Sequence, residues 1–182
     1  MQFLLFFMMI QFHPVCAQNE ENGYEEFQNA KNQAVKYLNS KLAMGVPIVS
    51  YETQYPSLKN AAYVYDNALV SLAYIAEGNR KNAAKILDAL VQGIQNDRFQ
   101  PDRIRNVYLA GNSSYPAHWW DGEWVEDASQ VGTTTGNSAF TALAFLQYYN
   151  RWGGERYLQS AETIMDWVLE NCQDQNYGFT GG

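Results

Sequence analysis

Three tryptophans and four carboxylates interleave between residues 119 and 127: Trp119, Trp120 and Trp124 stand among Asp121, Glu123, Glu126 and Asp127. A flat aromatic face binds the apolar face of a polar ring, and a carboxylate accepts hydrogen bonds from hydroxyls or exchanges protons with them. Sugars present both surfaces at once, so the first expectation is a carbohydrate ligand. Trp119, Trp120 and Trp124 are then stacking platforms, and Asp121 and Glu123 are candidate acid–base groups. The plain alternatives are core cover for the rings and solvated loop charge for the carboxylates; Glu126 and Asp127 read as surface or capping groups. The segment Gly132-Thr133-Thr134-Thr135-Gly136-Asn137 follows closely. Gln130, Thr135 and Asn137 are candidate binding groups here, although Thr135 and Asn137 equally suit the cap of a helix.

Hydrolysis of a glycosidic bond generally uses two carboxyl groups, one protonated and one ionised. Asp66 is the candidate from another part of the chain. It lies among Tyr63, Tyr65 and Asn67, near the start of an apolar segment. Burial in such a place favours the protonated form that an acid requires. The alternative is a structural carboxylate bonding the loop backbone. Tyr63, Tyr65 and Asn67 are read as substrate-binding neighbours.

Helices must position these groups. Residues 24–44 read as an amphipathic helix, with Tyr24, Phe27, Ala30, Ala34, Leu38 and Leu42 on one face. Residues 58–77 are apolar on almost every side, the pattern of a buried helix, and Gly78-Asn79 ends it. Residues 81–95 are amphipathic again, with Ala84, Leu87, Val91 and Ile94 on the core stripe. Residues 96–136 form a long irregular segment punctuated by Pro and Gly, in which Val107-Tyr108-Leu109 suits a short paired strand. Loops of that length in a compact domain are more often functional than not. Residues 137–149 repeat the all-round apolar pattern, and 155–171 repeat the single stripe, through Tyr157, Leu158, Ala161, Ile164, Met165, Val168 and Leu169 to Cys172.

The order is therefore buried helix, Gly turn, amphipathic helix, twice over. Inner helices need apolar surface all round and outer helices need it on one side. This predicts an all-α fold of antiparallel helical hairpins in concentric layers, against the alternative of an ordinary helical bundle.

Three segments in this order resemble the six-hairpin glycosidase superfamily: Tyr63-Val64-Tyr65-Asp66-Asn67-Ala68-Leu69, Gln130-Val131-Gly132-Thr133-Thr134-Thr135-Gly136-Asn137, and Tyr177-Gly178-Phe179-Thr180-Gly181-Gly182. The resemblance implies an (α/α)6 toroid and a glycoside hydrolase or lyase, with the cleft at one end of the inner ring. The chain supplies about two and a half of six such hairpins, so the expectation is a partial toroid, an N-terminal portion. Its uncovered inner helices are then candidates for self-association, since each Å² of apolar surface left wet costs roughly 25 cal/mol. Carbohydrate is the expected partner. The alternative function is a non-catalytic glycan-binding or interaction protein on the same scaffold.

The bulk numbers narrow the field. The net charge of -7 argues against a nucleic-acid partner, which would need clustered Lys and Arg. Tyr dominates the aromatic 15% of the chain, which suits polar clefts as well as cores. Beyond His13, the one histidine is His118, so neither a His-rich metal site nor a Ser–His–Asp triad is expected. The chain has no Gly-rich phosphate loop and no dinucleotide fingerprint, and no cofactor is expected. The apolar run Met1-Gln2-Phe3-Leu4-Leu5-Phe6-Phe7-Met8-Met9-Ile10 is too short to span a membrane, and Val15-Cys16-Ala17 follows with small residues where a signal peptidase would want them. Residues 1–17 are thus expected to be a signal peptide, 18–182 the helical domain, and the location secreted or periplasmic. Cys16 would leave with the signal, and Cys172 falls on a core stripe as a buried apolar residue.

Overall fold

The computed structural model describes residues 20–56, 58–97, 100–111, 128–174, 176 and 178–180. The expected signal peptide and the Trp119–Asp127 cluster lie outside them. The chain divides into two compact units, Met1–Asn39 and Ser40–Gly182. Helix α1, Glu20–Leu42, runs through the boundary. Its expected core stripe is not a buried one: Tyr24 is 65% exposed and Phe27 and Leu38 are half-buried, with only Leu42 inside.

The second unit is built from two helical hairpins. Strand β1, Ala61–Tyr63, leads into helix α2, Val64–Ala76. Helix α3, Arg80–Gln95, returns after Gly78 and Asn79, whose side chain caps the new helix by accepting from the Asn82 amide. Strand β2, Val107–Leu109, pairs antiparallel with β1 in the register Ala61↔Leu109, Ala62↔Tyr108, Tyr63↔Val107. A short helix α4, Ala128–Val131, precedes α5, Thr135–Trp152. Helix α6, Glu155–Asn171, returns after Gly153 and Gly154, both at positive φ, where an L side chain would be strained. Strands β3, Gln173–Asp174, and β4, Gly178–Phe179, form a small antiparallel ribbon.

Helices α2 and α5 lie side by side and parallel. The Tyr65 and Phe140 rings meet edge-on at 4.8 Å near their starts, and the Arg151 guanidinium donates to the Ile75 carbonyl near their ends. Helices α3 and α6 pack on them and also meet each other. Tyr157 is buried and donates to Asp88 at 2.7 Å, while its ring contacts those of Tyr148 and Phe145. The core between the layers holds Tyr74, Ile86, Leu87, Leu90, Phe145, Ile164 and Val168. Two helical hairpins, each with a Gly turn, are therefore what the fold contains, in a mostly helical chain.

Two expectations change. Residues 58–77 are not one helix: Asn60 adopts φ 60°, and 61–63 leave the helical path to pair with β2. The inner helices are also not buried all round. On α5, Leu143 and Leu146 are 42% and 41% exposed, because α2, α3 and α6 cover only the other faces.

Candidate functional site

The parallel run of α2 and α5 brings their first turns to one end of the hairpin pair. Asp66 stands in the first turn of α2, half-buried. Among the described residues it has no hydrogen-bond or ion-pair partner. The structural-carboxylate alternative would have given it backbone donors. Tyr65 is half-buried beside it and reaches across to Phe140 on α5.

Asn137, in the first turn of α5, is half-buried. Thr134 caps this helix, its hydroxyl accepting from the Asn137 amide at 3.4 Å. The Asn137 side chain donates to Asn106 Oδ1 at 2.6 Å. Thr135 donates to the Thr180 carbonyl at 2.6 Å, fastening β4 to the same end. Gln130 is buried within α4.

Asn106, which nothing in its sequence context singled out, joins the two first turns. Its carbonyl accepts from Val64 N at 2.9 Å, at the start of α2, and its own amide donates to Gly132 O at 2.8 Å. Its side-chain amide donates to Ser129 O at 2.7 Å, and its Oδ1 accepts from both Thr134 and Asn137. One residue thus satisfies groups from β1–α2, α4 and α5.

Tyr63 and Asn67 lie at the same end. Tyr63 stacks edge-on with Tyr51 at 5.5 Å, and its backbone amide donates to the Ser50 hydroxyl. Asn67 is 1% exposed. Its Oδ1 accepts from Ile48 N at 2.8 Å, and its Nδ2 donates to Ile48 O and Tyr63 O. Every polar atom of that amide is engaged with backbone, so Asn67 holds the loop before α2 from behind. Asp121, Glu123, Trp119, Trp120 and Trp124 lie outside the described residues, between β2 and α4 in sequence.

Buried charge lies between α3 and β2. Asp97, just past α3, pairs with Arg105 Nε at 3.0 Å and with Arg103 Nη2 at 3.4 Å, all three side chains at most 6% exposed. Arg103 also donates to the Val131 carbonyl and to Thr133 Oγ1, and Thr133 donates in turn to Ile104 O at 2.9 Å. Tyr108 is fully buried beside them; desolvation pushes its phenol well above the ordinary range, against the opposing pull of Arg105. Gly93 of α3 faces this ring so closely that an added Cβ would stand 2.7 Å from Tyr108 Cζ. Charged residues in an irregular segment default to a solvated reading; the signal available was the apolar alternation Arg103-Ile104-Arg105 with Val107 and Tyr108 following.

No protein family, curated protein or solved structure matches the chain.

Proposed function

We propose that this is a carbohydrate-active protein of the six-hairpin glycosidase type, a partial (α/α) toroid whose saccharide cleft lies where α2 and α5 begin. The observation that carries the reading is the pairing of parallel inner helices that brings Asp66, Tyr65 and Asn137 to one end, with Asp66 half-buried and unengaged. In this reading Asp66 is the acid that protonates the departing glycosidic oxygen. Asp121 or Glu123 is the second carboxylate, and Trp119, Trp120 and Trp124 are the stacking platforms. Tyr63, Gln130 and Thr135 contribute to the rim, with Asn67 and Asn106 holding it in shape. A panel of aryl glycosides and oligosaccharides tests this: turnover present in the native chain and lost in Asp66→Asn supports a hydrolase. Saturable glycan binding without turnover supports the second reading, a glycan-binding module on the same scaffold. Neither turnover nor binding across the panel overturns both.

Self-association belongs to the same proposal. Leu143 and Leu146 stand exposed on α5, and a groove of about 330 Å³ is lined by Leu72, Ile75 and Ala76 of α2 with Gln147, Asn150 and Arg151 of α5. Exposed apolar surface of this kind marks an interface. Light scattering of the isolated chain decides it: a monodisperse monomer that binds no hydrophobic dye removes self-association from the reading.

A further inference from the structure

A groove of about 450 Å³ opens between the end of α1 and the loop leading to β1. All of its lining lies in the second compact unit. Met44 and Tyr51 line it and are 72% and 45% exposed. Apolar side chains exposed singly need no account, but here two stand on one concave surface. Tyr51 is held in place. Ser50 beside it donates its amide to the Ala61 carbonyl at 2.8 Å, and its hydroxyl accepts from the Tyr63 amide at 2.9 Å, so the loop is fastened to β1 twice. The Tyr51 ring meets the Tyr63 ring edge-on at 5.5 Å, a contact that occupies at most one of its faces. Through Tyr63 the groove adjoins the end where α2 begins.

Asn60 adds a polar group to the same lining. Its φ is 60° and its carbonyl accepts from Ala110 N at 2.8 Å, so its backbone is fixed. Glycine would meet that φ as readily, so the backbone alone does not call for an amide. The side-chain amide of Asn60 has no partner among the described residues, nor has that of Gln54 in the same lining. Each offers one acceptor oxygen and two donor hydrogens. Lys41 and Glu52, also in the lining, hold each other in an ion pair, and Lys59 is engaged as well. A fixed aromatic face beside neutral amides and balanced charge suits an uncharged sugar, with its apolar face on the ring and its hydroxyls on the amides. We infer that this groove is a distal subsite for uncharged sugar units, so that the ligand of the inner end is an oligosaccharide long enough to pass Tyr63 and stack on Tyr51. The inference rests on the saccharide reading of the inner end and adds the length of the ligand to it.

Calorimetric titration of the full chain with cello-, manno-, xylo- and malto-oligosaccharides, each from disaccharide to hexasaccharide, tests it. In a series that binds, affinity is expected to rise about tenfold from the shortest member to the longest. Tyr51→Ala should remove that gain, lowering hexasaccharide affinity about tenfold and leaving disaccharide affinity unchanged. Tyr51→Phe should retain most of it. Asn60→Gly, which keeps the φ and removes the amide, should lower hexasaccharide affinity about threefold. If Tyr51→Ala does not fold, Asn60→Gly and the exposed Gln54→Ala decide. Tyr24→Ala, which removes an exposed tyrosine of the other compact unit, should change neither affinity. Affinity independent of length, a loss in Tyr51→Ala shared equally by disaccharide and hexasaccharide, or the same loss in Tyr24→Ala overturns the inference and leaves the inner-end reading standing. Asp66→Asn scores that reading alone, on turnover of aryl monosaccharides too short to reach Tyr51. No binding in any of the four series overturns both.

Discussion

Asn67 and Asn137 hold corresponding places in the two hairpins, each in the first turn of an inner helix, and each is followed four residues on by a hydroxyl that bonds back to its carbonyl: Ser71 to Asn67 and Thr141 to Asn137, both at 2.8 Å. What differs is the loop each amide meets. Asn67 is fully buried and grips the backbone of Ile48 through both of its side-chain polar atoms. Asn137 is half-buried and meets a side chain, that of Asn106. The first hairpin is closed by a side chain on a backbone, the second by a relay through one asparagine and, behind it, through Asp97 and Arg103. The lesson is that a shared position fixes the task, fastening the loop ahead of the helix, and leaves the manner of fastening to the loop.

The hardest test of that contrast is Asp97→Ala, which removes the carboxylate that two buried guanidinium groups share. Loss of one partner of a buried pair costs about 3–5 kcal/mol, and urea unfolding should show a fall of that order. Amide exchange should quicken first around residues 128–137 and not around 46–50; uniform quickening would mean that the two closures are not separate. Next in size, Asn67→Ala should lose about 2–3 kcal/mol, since it leaves buried backbone groups of Ile48 unpaired. Asn137→Ala, at a half-buried site with one side-chain bond, should lose about 1 kcal/mol. Equal losses in these two would erase the comparison.

Alkaline pH acts on the second closure through Tyr108 and on the hairpin contact through Tyr157. Desolvation raises both phenols, so the folded chain holds those protons more tightly than the unfolded one. Their contribution is present in full below the ordinary phenol range near pH 10 and is lost as pH rises from there through the folded values. Denaturant midpoints should therefore be flat for these groups to about pH 9 and fall beyond it. Tyr108→Phe, measured relative to its own neutral-pH stability, should fall less steeply; an unchanged slope counts against the assignment. The smallest effect on stability is expected at Asp66→Asn, within about 0.5 kcal/mol, because the side chain engages nothing among the described residues. A larger loss would show Asp66 to be structural, as Asn67 is.

Much of the helical frame was legible. Two all-round apolar segments and two single-stripe segments, each pair split by a Gly turn, give the hairpins with ends within a few residues of those observed for α3, α5 and α6. The start of α2 was not legible, because Ala61-Ala62-Tyr63 continues an apolar run that fits strand or helix alike; what decides it is a partner strand, Val107–Leu109, far along the chain. The exposure of Leu143 and Leu146 follows from which neighbours exist, a tertiary fact that periodicity does not carry. Of the inner end, Asp66 and Asn137 were picked out by their neighbours. Asn106 was not, since a single asparagine in an irregular stretch has no periodic signature.

The grip of Asn67 on Ile48 is made to peptide atoms that any residue but proline would supply. The turn ahead of α2 can therefore be rewritten, as far as this fastening goes, without loss of its hold. The backbone that meets the start of α5 has no such freedom at residue 106, just before β2, where an amide side chain gives and receives at once. Natural variation or a randomised library should spread widely through the first turn and stall at one letter in the second, so new binding specificities would be easier to graft beside α2 than beside α5.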